Sequence, residues 1–200
     1  MTRTVTRTAD SFATALHPAD SQRVFRAVLD ALARPGTVLA LPDAPLRTLP
    51  PAVIPVFALA DLGTGVCVLE QAGDRWGDTV TTATSAPLWP AELARLVAVL
   101  RPVTDEEVLG FCRGTATAPE DGALLAFAVA DLEGGERSWR MKGPGIAEVA
   151  TLAPRGLPAS FVAARAEAVA GYPAGIDVLL VTDDGRIAGL PRTTTITEEN

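Results

Sequence analysis

The sequence is poor in the side chains that most enzyme chemistry uses. Of 200 residues, one is histidine (His17), one is lysine (Lys142) and two are cysteine (Cys67 and Cys112). A Ser/His/Asp triad would have to use His17, which lies in a polar leader just before Pro18. A zinc site would have to draw on one His and two Cys spread across the chain, so a metal centre is not expected. The cysteines show no CxxC spacing and are expected as free thiols in a reducing cytoplasm. No apolar run approaches the roughly 20 residues of a membrane span. The opening "MTRTVTRTAD" has no apolar core of a secretory signal. Cytoplasmic localisation is therefore expected. A net charge of −7 argues against nucleic acid as a partner. It leaves room for a small anion held by a few local cations, and 16 of the 17 cationic side chains are arginine.

What is present is apolar content. The chain is 48% hydrophobic, and a chain of this length buries roughly 70% of the surface its unfolded form exposes. We expect residues 1–17 to form a polar N-terminal arm and 18–200 a single α/β domain. A helix capped by Asp20 or Ser21 carries a stripe of Val24, Phe25, Val28, Leu29 and Leu32, and "RPG" (34–36) stops it. "TVLAL" (37–41) and "VCVLE" (66–70) read as strands, and 51–63 as a helix broken or started at Pro55. Residues 77–88 read as a helical turn and then a loop. For 94–102 a strand near Leu96–Leu100 is preferred over a helix. Thr104 and Glu107 form a capping box. Gly134-Gly135 between two strand-like runs, 123–132 and 136–141, predicts a hairpin. Residues 157–173 predict a helix with Pro158 at its first position and Phe161, Val162, Ala166, Val169 and Ala170 on the buried face. "IDVLLVT", Asp183-Asp184-Gly185 and "RIAGLP" predict a second hairpin. Alternating elements followed by hairpins indicate a mixed sheet covered by helices: an α/β, three-layer αβα arrangement.

Several residues are candidates for binding. "KGPGI" (142–146) is not a Walker A loop, because its lysine precedes the glycines and no Ser/Thr follows. It reads as a tight connection. Lys142 is a Schiff-base candidate or a solvated charge. Adjacent Glu120 and Asp121 cannot both face one substrate from a regular strand. Asp177, beside an apolar run, needs a hydrogen-bond partner or an open strand end. Arg192 can fork onto a carboxylate or phosphate. Thr193 and Thr194 read as an edge-strand surface or as donors beside Arg192. Arg34 and Lys142 are the further cations such an anion site could recruit. No catalytic set assembles from these residues.

Four blocks carry a resemblance: "FRAVLDALARPGTV" (25–38), "GTATAPEDGALL" (114–125), "KGPGI" (142–146) and "YPAGIDVLLV…GRIAGLPRTT" (172–194). The chain resembles the family of H subunits of bacterial carbon–phosphorus lyase from about residue 12 to 196. The last block is the most specific, and 42–113 matches loosely apart from "APL" (86–88). The resemblance implies a fold similar to the large domain of pyridoxal-phosphate-dependent transferases, without the pyridoxal phosphate site and with no cofactor. It implies a homodimer that joins the G, I and J subunits in a soluble core complex for phosphonate catabolism. That complex attaches a phosphonate to the ribose C1 of ATP with release of adenine. The H subunit is expected to be non-catalytic; the alternative is a binder of an anionic phosphonate or nucleotide intermediate through Pro191-Arg192-Thr193-Thr194. Lys142 departs from the family pattern. For Arg192, a phosphate contact, a partner contact and an internal ion pair, with Asp177 as a candidate, all remain open.

Overall fold

The structure, a computed structural model, describes residues 16–199. The expected arm at 1–17 therefore lies almost wholly outside the described residues. Its last residue, His17, starts the first helix, α1 (Pro18–Ala33): the imidazole accepts from the Ala19 N–H, and the His17 carbonyl accepts from Asp20 and Ser21. The cap is thus His17 rather than Asp20 or Ser21, because Pro18 suits the first helical position and needs no N–H partner there. The buried face is Val24, Val28 and Ala31, while Phe25 and Leu29 are exposed.

A short strand, β1 (Leu39–Ala40), precedes a one-turn helix, α2 (Asp43–Leu46). A 3-10 turn at Pro51–Val53 feeds α3 (Ile54–Leu59), whose Pro55 sits in its first turn. There follow β2 (Val66–Leu69), α4 (Trp76–Thr84), β3 (Leu96–Val99) and α5 (Asp105–Gly110). Residues 77–88 thus hold a fuller helix than a single turn, with the Glu70 carboxylate accepting from the Trp76 N–H at 2.6 Å. The capping box is present: the Thr104 hydroxyl accepts from the Glu107 N–H, and the Glu107 carboxylate accepts from the Thr104 N–H. Thr104→Ala is expected to cost about 1 kcal/mol, read as a fall in the urea midpoint with an unchanged m-value.

The remaining elements are β4 (Leu124–Val129), β5 (Ser138–Lys142), β6 (Ala150–Leu152), α6 (Phe161–Ala168), β7 (Asp177–Thr182), β8 (Arg186–Leu190) and β9 (Thr195–Glu199). Six strands form one sheet in the order β1-β8-β7-β4-β3-β2. The four strands β2, β3, β4 and β7 are parallel; β7–β8 and β8–β1 are antiparallel. The parallel strands read as continuous apolar runs because both faces are covered. Ala98, Ala126, Leu179, Val181 and Ile187 meet α1, α3 and α4 on one face. Val97, Val99, Leu125, Phe127, Val178 and Leu180 meet α5, α6 and a small β6-β5-β9 sheet on the other. The αβα layering expected from the sequence is present.

The hairpin at Gly134-Gly135 is not. Strand β4 has parallel partners on both edges, β3 and β7, so β5 finds no free edge there. The chain turns away instead: the Gly135 N–H donates to the Ala153 carbonyl, and a Cβ on Gly135 would lie 2.5 Å from the Pro154 carbonyl oxygen. β5 pairs with β6 and β9 in the small sheet, with Trp139 and Met141 facing inward. The Asp183–Gly185 hairpin between β7 and β8 is present, with Gly185 at φ +84° and its N–H on the Thr182 carbonyl.

Helix α6 is shorter than 157–173 and faces another way. Pro158 lies before it, its carbonyl accepting from the Phe161 N–H. The buried face is Phe161, Ala164, Arg165 and Ala168, a 3.6-residue stripe that includes a charged side chain.

Candidate functional site

Pro191 ends β8 and directs the chain across the end of α6 toward β9. The Thr194 N–H closes this crossing on the Pro191 carbonyl at 2.8 Å. Asp177, the first residue of β7, lies beneath it. One oxygen of its carboxylate, Oδ1, accepts from the Arg192 N–H at 2.7 Å. The other, Oδ2, accepts from Arg192 Nε at 3.1 Å and Nη2 at 2.7 Å. Arg192 Nη1 donates to the carbonyls of Pro119 at 2.8 Å and Pro173 at 3.0 Å. Gly122 packs against the guanidinium, where a Cβ would stand 2.8 Å from Nη2. Of the three readings left open for Arg192, this geometry is the internal ion pair. The guanidinium fork joins β7, the 119–122 turn and the 173 turn, and its side chain is only 13% exposed.

The neighbouring cation, Arg165, has no such partner. The residue is 2% exposed, and it makes no ion pair among the described residues. Its hydrogen bonds go to main-chain carbonyls: Nη1 to Thr194 at 3.0 Å, Nη2 to Pro191 at 2.6 Å and to Leu190 at 3.4 Å. Nε has no partner among the described residues, nor does the buried hydroxyl of Thr194. Burial pushes the guanidinium down to about 10, against the opposing pull of Asp177, so Arg165 stays charged at neutral pH.

A cleft of about 510 Å³ opens beside these residues. Pro144, Val162, Val169 and Ile196 give it apolar walls, Arg165 and Thr194 are part of its lining, and Tyr172 and Thr193 stand at its exposed side. Three of the six candidates, Arg192, Thr193 and Thr194, therefore line one cleft, with Asp177 behind Arg192. The other two stand apart from its lining. Arg34 caps α1 and pairs with Asp30 at 3.0 Å, both half exposed. Lys142 is exposed at the end of β5 opposite Thr195 and makes no ion pair among the described residues. Sequence reasoning missed Arg165. Its signal was the spacing 161, 164, 165, 168 on α6.

A second charged cluster gathers at the carboxyl ends of β4 and β7. Asp131 accepts from Arg155 at 3.2 Å and from Arg186 at 3.0 Å, and Asp184 pairs with Arg186 at 2.9 Å. Two carboxylates match two guanidinia, so the cluster ties loops together and has no spare charge. Asp131 is held below the usual carboxylate range, first by the Glu133 N–H, and Asp184 first by the Thr182 hydroxyl. A depressed folded-state value gives stability that is present above the ordinary value near 3.8 and is lost as pH falls through the lower folded values. The urea midpoint is expected to drop below about pH 4, and Asp131→Asn is expected to flatten that drop.

Among the described residues, no three His, Cys, Asp or Glu side chains converge as a metal site, and Cys67 and Cys112 are free. No helix among them is long and apolar enough to cross a membrane.

Comparison with known proteins agrees with the motif blocks. Residues 12–197 match the model of a family described as bacterial phosphonate metabolism protein (PhnH). The chain is similar to α-D-ribose 1-methylphosphonate 5-triphosphate synthase subunit PhnH of Rhizobium meliloti (strain 1021). The two are 31% identical over 198 residues, covering 90% of this chain and 92% of that protein. The chain belongs to the PhnH family of bacterial phosphonate metabolism proteins.

Proposed function

We propose that this chain is a non-catalytic subunit of an α-D-ribose 1-methylphosphonate 5-triphosphate synthase. In this reading it is a cytoplasmic homodimer that docks with the G, I and J subunits of the carbon–phosphorus lyase core. The observation that carries the reading is the family match from residue 12 to 197, joined to the subunit name of the Rhizobium meliloti relative. The geometry is in keeping with it. Arg192, the cation best placed by sequence to hold a phosphoryl group, has four of its five side-chain N–H donors committed within the fold. Co-expression with tagged G, I and J subunits is expected to give one complex in which this chain co-elutes at a fixed ratio. Elution of this chain alone, with the other three together, would overturn the reading.

A further inference from the structure

Arg165 is a buried cation without an ion pair among the described residues. The one carboxylate that pulls on it, Asp177, is hydrogen-bonded three times by Arg192. That carboxylate is committed to Arg192, and Arg165 makes no ion pair with it. Carbonyl dipoles orient Arg165 but supply no countercharge, and a buried cation without one is costly. Its Nε and the Thr194 hydroxyl are both buried without partners, although Arg165 and Thr194 both line the cleft. Buried polar atoms left unpaired beside an opening are where a ligand gains most, because each arrives with its desolvation already met. The cleft's volume of about 510 Å³ suits a small molecule. Its walls set the other half of the chemistry: Val162, Val169 and Ile196 offer no polar group.

We infer that this cleft binds an oxyanion carried on a small apolar body, with Arg165 as the countercharge and Thr194 as the neutral donor. The anion sits over the guanidinium, and the apolar body lies against α6 with the Tyr172 ring at the rim. Rotation of the Thr194 side chain toward it breaks no hydrogen bond, since that hydroxyl makes none. The inference goes beyond a subunit role and does not depend on it: a chain that assembles without binding such a ligand, or binds without assembling, separates the two.

Calorimetry on the full chain with phenylphosphonate tests it, with inorganic phosphate and benzyl alcohol as the charge-only and apolar-only arms. Saturable binding of one phenylphosphonate per chain is expected, tighter than either partial probe. Thr194→Val keeps the shape and removes the hydroxyl, and should weaken binding about tenfold. Val162→Trp fills the cleft from the half-buried side of α6 and should abolish binding with the unfolding curve preserved. Arg165→Met should abolish it too, and the other two variants keep the test decisive if that one fails to fold. No saturable heat at millimolar phenylphosphonate would overturn the inference. So would affinity unchanged in both Thr194→Val and Val162→Trp, benzyl alcohol binding as tightly as phenylphosphonate, or a site that takes only the carboxylate of a partner protein.

Discussion

Replacing Asp177 by alanine is expected to destabilise the chain by about 4 kcal/mol, within the range seen when one partner of a buried ion pair is removed. Its carboxylate accepts three hydrogen bonds from Arg192, and the pair is mostly shielded, with side chains 24% and 13% exposed. Its removal leaves the Arg192 guanidinium without a countercharge. It also removes the carboxylate attraction that acts on the buried Arg165. Two shielded guanidinia at the Pro191–Thr194 crossing would then have no carboxylate partner. Arg192→Met is expected to cost less, because Asp177 would keep its attraction to Arg165. Urea unfolding of both variants checks the size and the asymmetry. A loss under about 1 kcal/mol for Asp177→Ala would mean that the pair behaves as a solvated surface bridge.

Phe161→Ala is expected to cost a similar amount, about 4 kcal/mol, as for other buried aromatics cut to alanine. Phe161 is 1% exposed at the start of α6. It stacks on Trp139 with ring centroids 5.8 Å apart and an interplanar angle of 9°. It also meets Phe127 edge-on at 5.4 Å, and Phe127 meets Phe111 at 6.4 Å. The ring therefore joins α6 to the main sheet through β4 and to the small sheet through β5, and Phe127 carries the contact on to Phe111 after α5. Truncation leaves a cavity that three separate elements would have to close, and rigid strands cannot follow one another into it. The expected readouts are a lower urea midpoint and a changed near-ultraviolet circular dichroism signal from Trp139, which loses its stacking partner. Phe161→Leu should lose less on both.

Local chemistry made much of this fold legible. The Thr104–Glu107 capping box, the Gly185 turn and the uninterrupted apolar runs of β2, β3, β4 and β7 are each written within a few neighbouring residues. Errors came where a distant partner decides. Gly134-Gly135 has the composition of a hairpin turn, but the choice between pairing β4 with β5 or with β3 and β7 is made by strands far along the chain. The short β6 has no local signal strong enough to separate it from a loop, and Thr193–Thr195 divides between the crossing and β9 only once β5 provides an edge. On α6, a face drawn through apolar residues alone excludes Arg165. Its burial is set by carbonyls at 190, 191 and 194, which become neighbours only after β8 has formed. The Asp177–Arg192 pair was visible as one of three possibilities because both residues stood out against apolar strands. Choosing among them required Pro119, Gly122 and Pro173 to be seen closing around the guanidinium.

We propose above that this chain serves phosphonate metabolism as a member of an assembly and performs no turnover itself. Adenine release from ATP in the presence of methylphosphonate tests it most directly, measured with this chain alone, with the G, I and J subunits, and with all four. No release is expected from this chain alone, and release is expected from the complete assembly. Release of adenine by this chain alone at the rate of the assembly would contradict it.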